Sequence, residues 1–317
     1  MKFKKPNFWD LKKPNLISYL LLPFTLIVLL SNFILKFKSN KNKQTIKTIC
    51  VGNIYIGGTG KTPTVIKIFQ ILKNLKFDVL TAKKFYSSQH DENKILETKT
   101  NFITGKNREI IINFAIQDKK NIVIFDDGLQ DKNIEYDLQL VCFDSESFIG
   151  NGFLIPAGPL REKLSSLKKY DCVFIKNVNE KVLDDKKDLI KKQNQHIQIF
   201  ETYLEVINLK KFDLTQRYLI FSGLGNPSNF RKTLEKNNFK IIDEMIFPDH
   251  HEYTIEEIKK ILKRAKENNA SIITTQKDFV KISHFQFDEI KFLETELRIK
   301  NEEIFVEFLK KKLNEKY

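Results

Sequence analysis

The sequence predicts an α/β protein in which a parallel sheet is wrapped by helices. Short continuous apolar runs of the kind a sheet buried on both faces requires alternate with stretches of helical periodicity. Between the first such strand and the first such helix lies "GNIYIGGTGKTP", a glycine-rich turn that predicts a phosphate-binding loop and so a P-loop NTPase-like domain.

The first element is "LISYLLLPFTLIVLLSNFIL", Leu16 to Leu35, apolar apart from scattered Ser, Thr and Asn. About 20 residues at roughly 1.5 Å rise match the roughly 30 Å thickness of a bilayer's hydrocarbon. Lysines flank both ends, so the positive-inside rule sets no orientation, and the absence of a small-residue cleavage site argues against a signal peptide. The expectation is a membrane-associated helix, spanning or lying in one leaflet, kinked at Pro23.

After the polar linker "KFKSNKNKQ", "TIKTICVGN" reads as a strand, and Val65, Ile68, Phe69, Leu72 and Leu75 follow at helical spacing. "FDVLTA", "NIVIFDD", "LQLVCFD" and "DCVFIKN" are further strands. A second half starts near residue 206: "RYLIFSGLGNPSNF" reads strand, turn, helix, followed by the strand "FKIIDEMIF" and the loop "PDHHEY". Thr254 and Glu257 form a capping box opening the helix "IEEIKKILKRAKENN". The strand "ASIITT", the loop "QKDFVKI" and an amphipathic helix near 302–316 complete the chain. The expected domains are a membrane-associated helix at 1–40, a P-loop kinase domain at 41–205 and a smaller C-terminal α/β domain at 206–317.

With 317 residues there is room for two cores. A net charge of +14 suits anionic partners such as nucleotide, nucleic acid or an acidic membrane surface, but biased composition gives the same excess of lysine, so charge alone decides little. Cys50, Cys142 and Cys172 are odd in number, lie in apolar runs and lack CxxC spacing, which predicts reduced, buried thiols rather than a disulfide framework.

Gly57, Gly58, Thr59 and Gly60 let the main chain approach phosphate closely; Lys61 would reach the β- and γ-phosphates of ATP and the Thr62 hydroxyl would hold Mg²⁺. Tyr55 stands where the strict pattern has its first glycine. A carboxylate for the metal is expected at the carboxyl end of a nearby strand, where "IVIFDDGLQ" supplies Asp126 and Asp127. Asp91, Glu92, His250 and His251, read as loop residues, are candidates for the group that orients or deprotonates an acceptor hydroxyl, and spacing does not choose among them.

In order, "GNIYIGGTGKTP", "HDENKIL", "DDGLQ", "GNGFLIPAGPLRE", "SGLGNPSNF", "FPDHHEYT" and "TTQKD" resemble the tetraacyldisaccharide 4'-kinase family, the lipid A 4'-kinases of Gram-negative bacteria. The resemblance implies two α/β/α domains joined by a short β linker, at the cytoplasmic face of the inner membrane. It implies transfer of the ATP γ-phosphate to the 4'-hydroxyl of tetraacyldisaccharide 1-phosphate, a lipid, giving lipid IVA. The family's catalytic Asp–His dyad maps onto Asp91 and His250, and its nucleotide and metal segments map onto Asp126, Asp127, Gln130, Arg161 and Glu162. Two segments depart from the family pattern: "AKKFYSS" replaces Ser-Arg-Gly-Tyr-Gly, leaving Lys83 or Lys84 to substitute for the arginine, and "HDEN" replaces Gly-Asp-Glu-Pro.

Rival readings fit less well. A partition-type ATPase would carry lysine where Ile56 stands, and "TQKD" puts its lysine one place too late for a guanine-reading motif. A non-catalytic tethered nucleotide-binding module leaves Asp91 and the paired aspartates unexplained. No helix–turn–helix, zinc or aromatic-basic motif suggests nucleic acid.

Overall fold

A computed structural model describes residues 5–38, 42–43, 45–86, 90–131, 133–176, 183–249 and 251–314. It divides into two compact units, the first formed by 1–85, 99–203 and 297–317 and the second by 86–98 and 204–296. This differs from the linear boundaries at 41–205 and 206–317, because two segments pack with the half that is distant in sequence.

In the first unit, α1 (Leu16–Lys38) opens with Asn15, whose Oδ1 accepts the backbone N–H of Ser18 at 3.0 Å, and it runs through Pro23. Its inner face docks through Ser18, whose Oγ accepts from Asn151 at 2.9 Å, and the half-exposed Tyr19 ring meets Phe153 edge-on. Its outer face leaves Leu16 75%, Leu20 67% and Ile27 63% exposed. Among the described residues, no helix is long and apolar enough to cross a membrane.

The strands β1 (Lys47–Gly52), β2 (Val79–Lys84), β3 (Phe102–Gly105), β4 (Ile122–Asp126), β5 (Leu138–Asp144), β6 (Cys172–Lys176) and β7 (Gln198–Val206) follow. The helices α2 (Lys61–Asn74), α4 (Arg108–Gln117) and α5 (Leu183–Gln193) lie between them in sequence, as does α3 (His90–Lys99), which belongs to the second unit up to residue 98. The sheet order is β3-β2-β4-β1-β5-β6-β7, and β12 (Thr295–Ile299) pairs beyond β7 as the eighth strand. The pairings from β3 through β7 are parallel. β1 therefore lies between a strand reached by crossing over β4 and one reached in the opposite direction. That is the switch point at which open α/β sheets bind ligands.

Burial of β1, β4 and β5 on both faces explains their apolar stretches Ile49 to Val51, Ile122 to Phe125 and Leu140 to Phe143. The three cysteines are free and buried, as their surroundings in sequence predict, and burial pushes the Cys142 thiol up to about 12. The last helix, α9 (Glu302–Asn314), packs in this unit rather than with the C-terminal half: Phe305 meets Phe174 and Phe200 edge-on, each at 5.0 Å between centroids.

The second unit is a four-stranded parallel sheet in the order β9 (Lys240–Ile246), β8 (Arg217–Ser222), β10 (Ser271–Thr275), β11 (Ile290–Leu293). Alternation along β8 sends Leu219 and Phe221 to a core with Ile258 and Ile261 of α7 (Ile255–Glu267). Tyr218 and Ile220 go to the other face, with Phe230 and Leu234 of α6 (Pro227–Lys236). Each such side chain contributes about 1.5–3 kcal/mol of burial. The capping box of Thr254 and Glu257 forms as its spacing predicts.

Two segments read as loops are helical. "QKDFVKI" is α8 (Gln276–Ile282), capped by Thr275, whose side chain accepts the Asp278 N–H. Asp91 and Glu92 occupy the first turn of α3.

Candidate functional site

The loop leaving β1 turns through Gly57 at φ 140° and Gly60 at φ 85°, and α2 begins at Lys61. Both φ values lie where a Cβ is strained, which explains glycine at these two positions. Gly58 has no atom within 4 Å of the place a Cβ would take, so its need is not steric crowding within the chain. Asn53 braces the loop from beneath, donating to Gly57 O at 3.2 Å and Thr59 Oγ1 at 3.1 Å. Backbone N–H groups at the start of a 14-residue helix form an anion site.

Tyr55 does not have positive φ; it forms an antiparallel bridge with Leu160. Ile56 N–H donates to Pro159 O at 2.9 Å and Arg161 N–H to Ile54 O at 2.8 Å. A side chain is accepted at position 55 because the backbone there is paired rather than turning. The ring is buried against Leu154 and Leu160, with Leu29 of α1 packed on the same cluster. Its hydroxyl donates to Asp10 and accepts from Lys5 at 2.8 Å. Burial and the hydrogen bond to Asp10 both push the phenol well above its ordinary range.

β4 delivers the paired carboxylates. Val51 is in register with Asp126, so the aspartate ends its strand beside the loop's entry. Thr62 Oγ1 donates to Asp126 Oδ2 at 2.9 Å. Lys83, next to last in β2, is in register with Asp126 and places Nζ 3.3 Å from the same oxygen; both side chains are 1% exposed or less. Sequence reasoning raised Lys83 only as a substitute for an arginine. Its signal was a lysine at the end of an apolar run, but the partner depends on which strand lies next to β2.

Asp127 adopts φ 59° and faces two cations, Lys61 Nζ at 3.7 Å and Arg161 Nη1 at 2.9 Å. Its backbone is held by Arg108, which donates to Asp127 O at 2.6 Å while pairing with Asp131 at 2.6 Å. Gly128 is required next to it, since a Cβ would fall 2.6 Å from the Tyr136 hydroxyl. Arg108 carried no signal in the sequence: it opens α4, outside every recognisable motif. Gln130 joins Arg161 at 3.2 Å, Asn53 O at 3.0 Å and Glu162 at 3.0 Å; Tyr170 also donates to Glu162 at 2.8 Å. The sequence-predicted residues of this unit thus form two neighbouring groups. Thr62 meets Asp126, while Lys61, Asp127, Arg161, Gln130 and Glu162 form a chain of contacts.

Burial pushes the Asp127 carboxyl up, but Lys61 and Arg161 outweigh it and hold it down at about 2. A folded value below the ordinary 3.8 stabilises the fold above about pH 4, and that contribution is lost as pH falls through about 2. The shift corresponds to about 2 kcal/mol. Urea unfolding should show wild type losing roughly that much more stability than Asp127→Asn between pH 6 and pH 2. Parallel losses in the two proteins would mean the pair contributes nothing.

In the second unit Asp91 is 5% exposed. Its Oδ1 accepts the Glu92 N–H at 2.9 Å, and its Oδ2 lies 3.4 Å from Lys281 Nζ and 3.5 Å from Lys277 Nζ. His250 lies outside the described residues. His251 stacks on Phe247 and pairs with Glu257 at 3.0 Å, which gives it a part in the start of α7.

Among the described residues, no group of three or more His, Cys, Asp or Glu side chains is placed to hold a metal ion. That donor set fits Mg²⁺, which takes one or two carboxylates and completes its octahedron with water and substrate phosphate. The hard oxygens of Thr62 and Asp126, already 2.9 Å apart, are such a partial set.

Comparison with known proteins follows the same lines. The family model described as tetraacyldisaccharide-1-P 4'-kinase matches residues 17–94 and 79–314. The chain is 44% identical to the tetraacyldisaccharide 4'-kinase of Pelagibacter ubique (strain HTCC1062), covering 100% of both chains. It is 35% identical to the enzyme of that name from Rickettsia canadensis (strain McKiel), covering 98% of each. Among solved structures, the "apo" form of LpxK from Aquifex aeolicus in complex with ATP superposes with a TM-score of 0.71 at 21% identity, covering 94% of this chain and 100% of that one. At that identity the superposition bears on the fold alone.

Proposed function

The chain belongs to the tetraacyldisaccharide 4'-kinase family, and from that premise we propose that it transfers the γ-phosphate of ATP to the 4'-hydroxyl of tetraacyldisaccharide 1-phosphate, giving lipid IVA. The observation that carries this reading is the strand-end pair Asp126 and Asp127 meeting Thr62 and Lys61 at the start of α2. Family membership makes the protein a kinase; the acceptor is inferred from the relatives' name.

The nucleotide phosphates would lie on the N–H groups of Gly57 to Thr62, with Lys61 leaving Asp127 to meet charge that develops on the transferred group. Arg161, braced by Gln130 and Glu162, supplies a second cation to the same chain of contacts. Thr62 and Asp126 would hold Mg²⁺, which when bound neutralises phosphate charge. Asp91 is the carboxylate we assign to the acceptor proton, with His250 orienting it. The direct test is purified protein with labelled ATP, Mg²⁺ and the disaccharide 1-phosphate. A bisphosphorylated lipid is expected, and folded protein that makes none would refute the reading.

We further propose that α1 seats the enzyme in one leaflet at the cytoplasmic face of the inner membrane. The exposed Leu16, Leu20, Phe24, Ile27 and Leu30 face outward while Ser18 and Thr25 are buried, the division an interfacial helix needs. Deleting residues 1–38 should move the protein from the membrane pellet to the supernatant. A truncated protein that still floats with anionic vesicles would place the anchor on the basic surface instead.

A further inference from the structure

Lys277 and Lys281 are four residues apart on α8, so they share one helix face, and both ammoniums point at a single oxygen of Asp91. Neither is held by Asp91 alone. Lys281 Nζ is also 3.1 Å from Asp278 Oδ1, and Asp278 is fully buried. The other oxygen of Asp278 accepts Thr275 Oγ1 at 2.7 Å and the Gly223 N–H at 3.0 Å, which ties the carboxylate to the ends of β10 and β8. Lys277 Nζ is 3.0 Å from Asp249 in the loop after β9. Each lysine is therefore anchored to the scaffold by a second carboxylate and presents the remainder of its charge to Asp91.

Among the described residues the balance of charge argues against an anion site. Lys277 and Lys281 face Asp91, Asp249 and Asp278, with Glu92 adding to the negative charge around Lys277 and the Tyr253 ring 5.9 Å from Lys281. The carboxylates already outnumber the ammoniums. Burial would push the Lys277 ammonium down, but the carboxylates of Asp249 and Asp91 outweigh it and hold it above its ordinary value. Two fixed cations on Oδ2 and a backbone N–H on Oδ1 leave a buried carboxylate little rotational freedom.

We propose that Lys277 and Lys281 are positioning residues that hold the Asp91 carboxylate correctly oriented to receive the acceptor's proton. This rests on the assignment of Asp91 above. It also gives "TTQKDFVKI" a purpose: Thr275 caps α8, Asp278 anchors Lys281, and the two lysines hold Asp91. Because the oriented carboxylate is already charge-paired, it accepts the proton late, as the acceptor oxygen bonds to the γ-phosphorus and the bond from that phosphorus to the β–γ bridging oxygen breaks, releasing ADP.

The test is a double-mutant cycle on the full-length enzyme with Lys281→Met, Lys277→Met, Lys281→Arg and Asp91→Asn. Loss of orientation should lower kcat by roughly 10- to 100-fold in each methionine variant. KM for ATP should not change, and Lys281→Arg should recover most of the rate. In the Asp91→Asn background the methionine substitutions should cost nothing further, since they act through the group already removed. A merely structural lysine would cost the same in both backgrounds, and that result overturns the proposal. A folded methionine variant at wild-type rate, with Asp91→Asn inactive, overturns it while sparing the role of Asp91. Asp91→Asn at wild-type rate overturns both. Two lysines are tested separately so that one unfolded variant does not decide the matter, and thermal melting monitors each.

Discussion

Replacing Lys61 by alanine should reduce kcat by about 10²- to 10³-fold, the loss expected when one preorganised charge on a developing anion is removed. The nucleotide's KM should rise far less, because the Gly57 to Gly60 backbone and the start of α2 stay in place. Lys61 Nζ sits 3.7 Å from Asp127 Oδ2, a distance at which it is held near the site without a tight bond to break. The substitution also leaves Asp127 with Arg161 as its remaining cation, so a modest loss of stability should accompany the loss of rate. Steady-state kinetics with ATP varied at fixed lipid separates the two parameters. Wild-type turnover in folded Lys61→Ala would exclude this loop from the chemistry.

Asp91→Asn should be at least as damaging, about 10²- to 10⁴-fold in kcat, since an amide keeps the shape but cannot take the proton. His250→Ala should cost less, because orientation of the base is impaired while the base remains. The reverse order would mean that the two roles are exchanged. A folding defect is a real risk with Asp91→Asn, as it removes the carboxylate that shares two ammoniums with Asp249 and Asp278. Lys277 and Lys281 each keep one partner, so the fold should survive, and a melting curve alongside the kinetics checks this.

Much of the architecture could be read because it is written locally. A loop that needs positive φ uses glycine at Gly57 and Gly60, and a helix that needs its first N–H groups satisfied uses Thr254 with Glu257. Both requirements are met by neighbours in sequence. The strands were legible for the same kind of reason, since burial on both faces favours apolar runs such as Ile49 to Val51 and Ile122 to Phe125. The helical nature of "QKDFVKI" was missed because seven residues are too few to establish a period, and its cap, Thr275, also ends a strand.

What the sequence determined by itself, then, is the phosphate loop, the paired aspartates after a buried strand, the two α/β halves and an apolar helix before them. The tertiary structure alone decided that Lys83 shares Asp126 with Thr62, that Arg108 holds the strained Asp127, and that Asp91 belongs with Lys277 and Lys281. It also gave Tyr55, which stands where the strict pattern has its first glycine, a paired backbone and a phenol that meets Asp10 and Lys5. The physical reason is the same in each case. Backbone conformation is dictated within a few residues, whereas a charge's partner is dictated by sheet order and domain packing, which join residues 43 apart at Lys83 and Asp126 and 190 apart at Asp91 and Lys281.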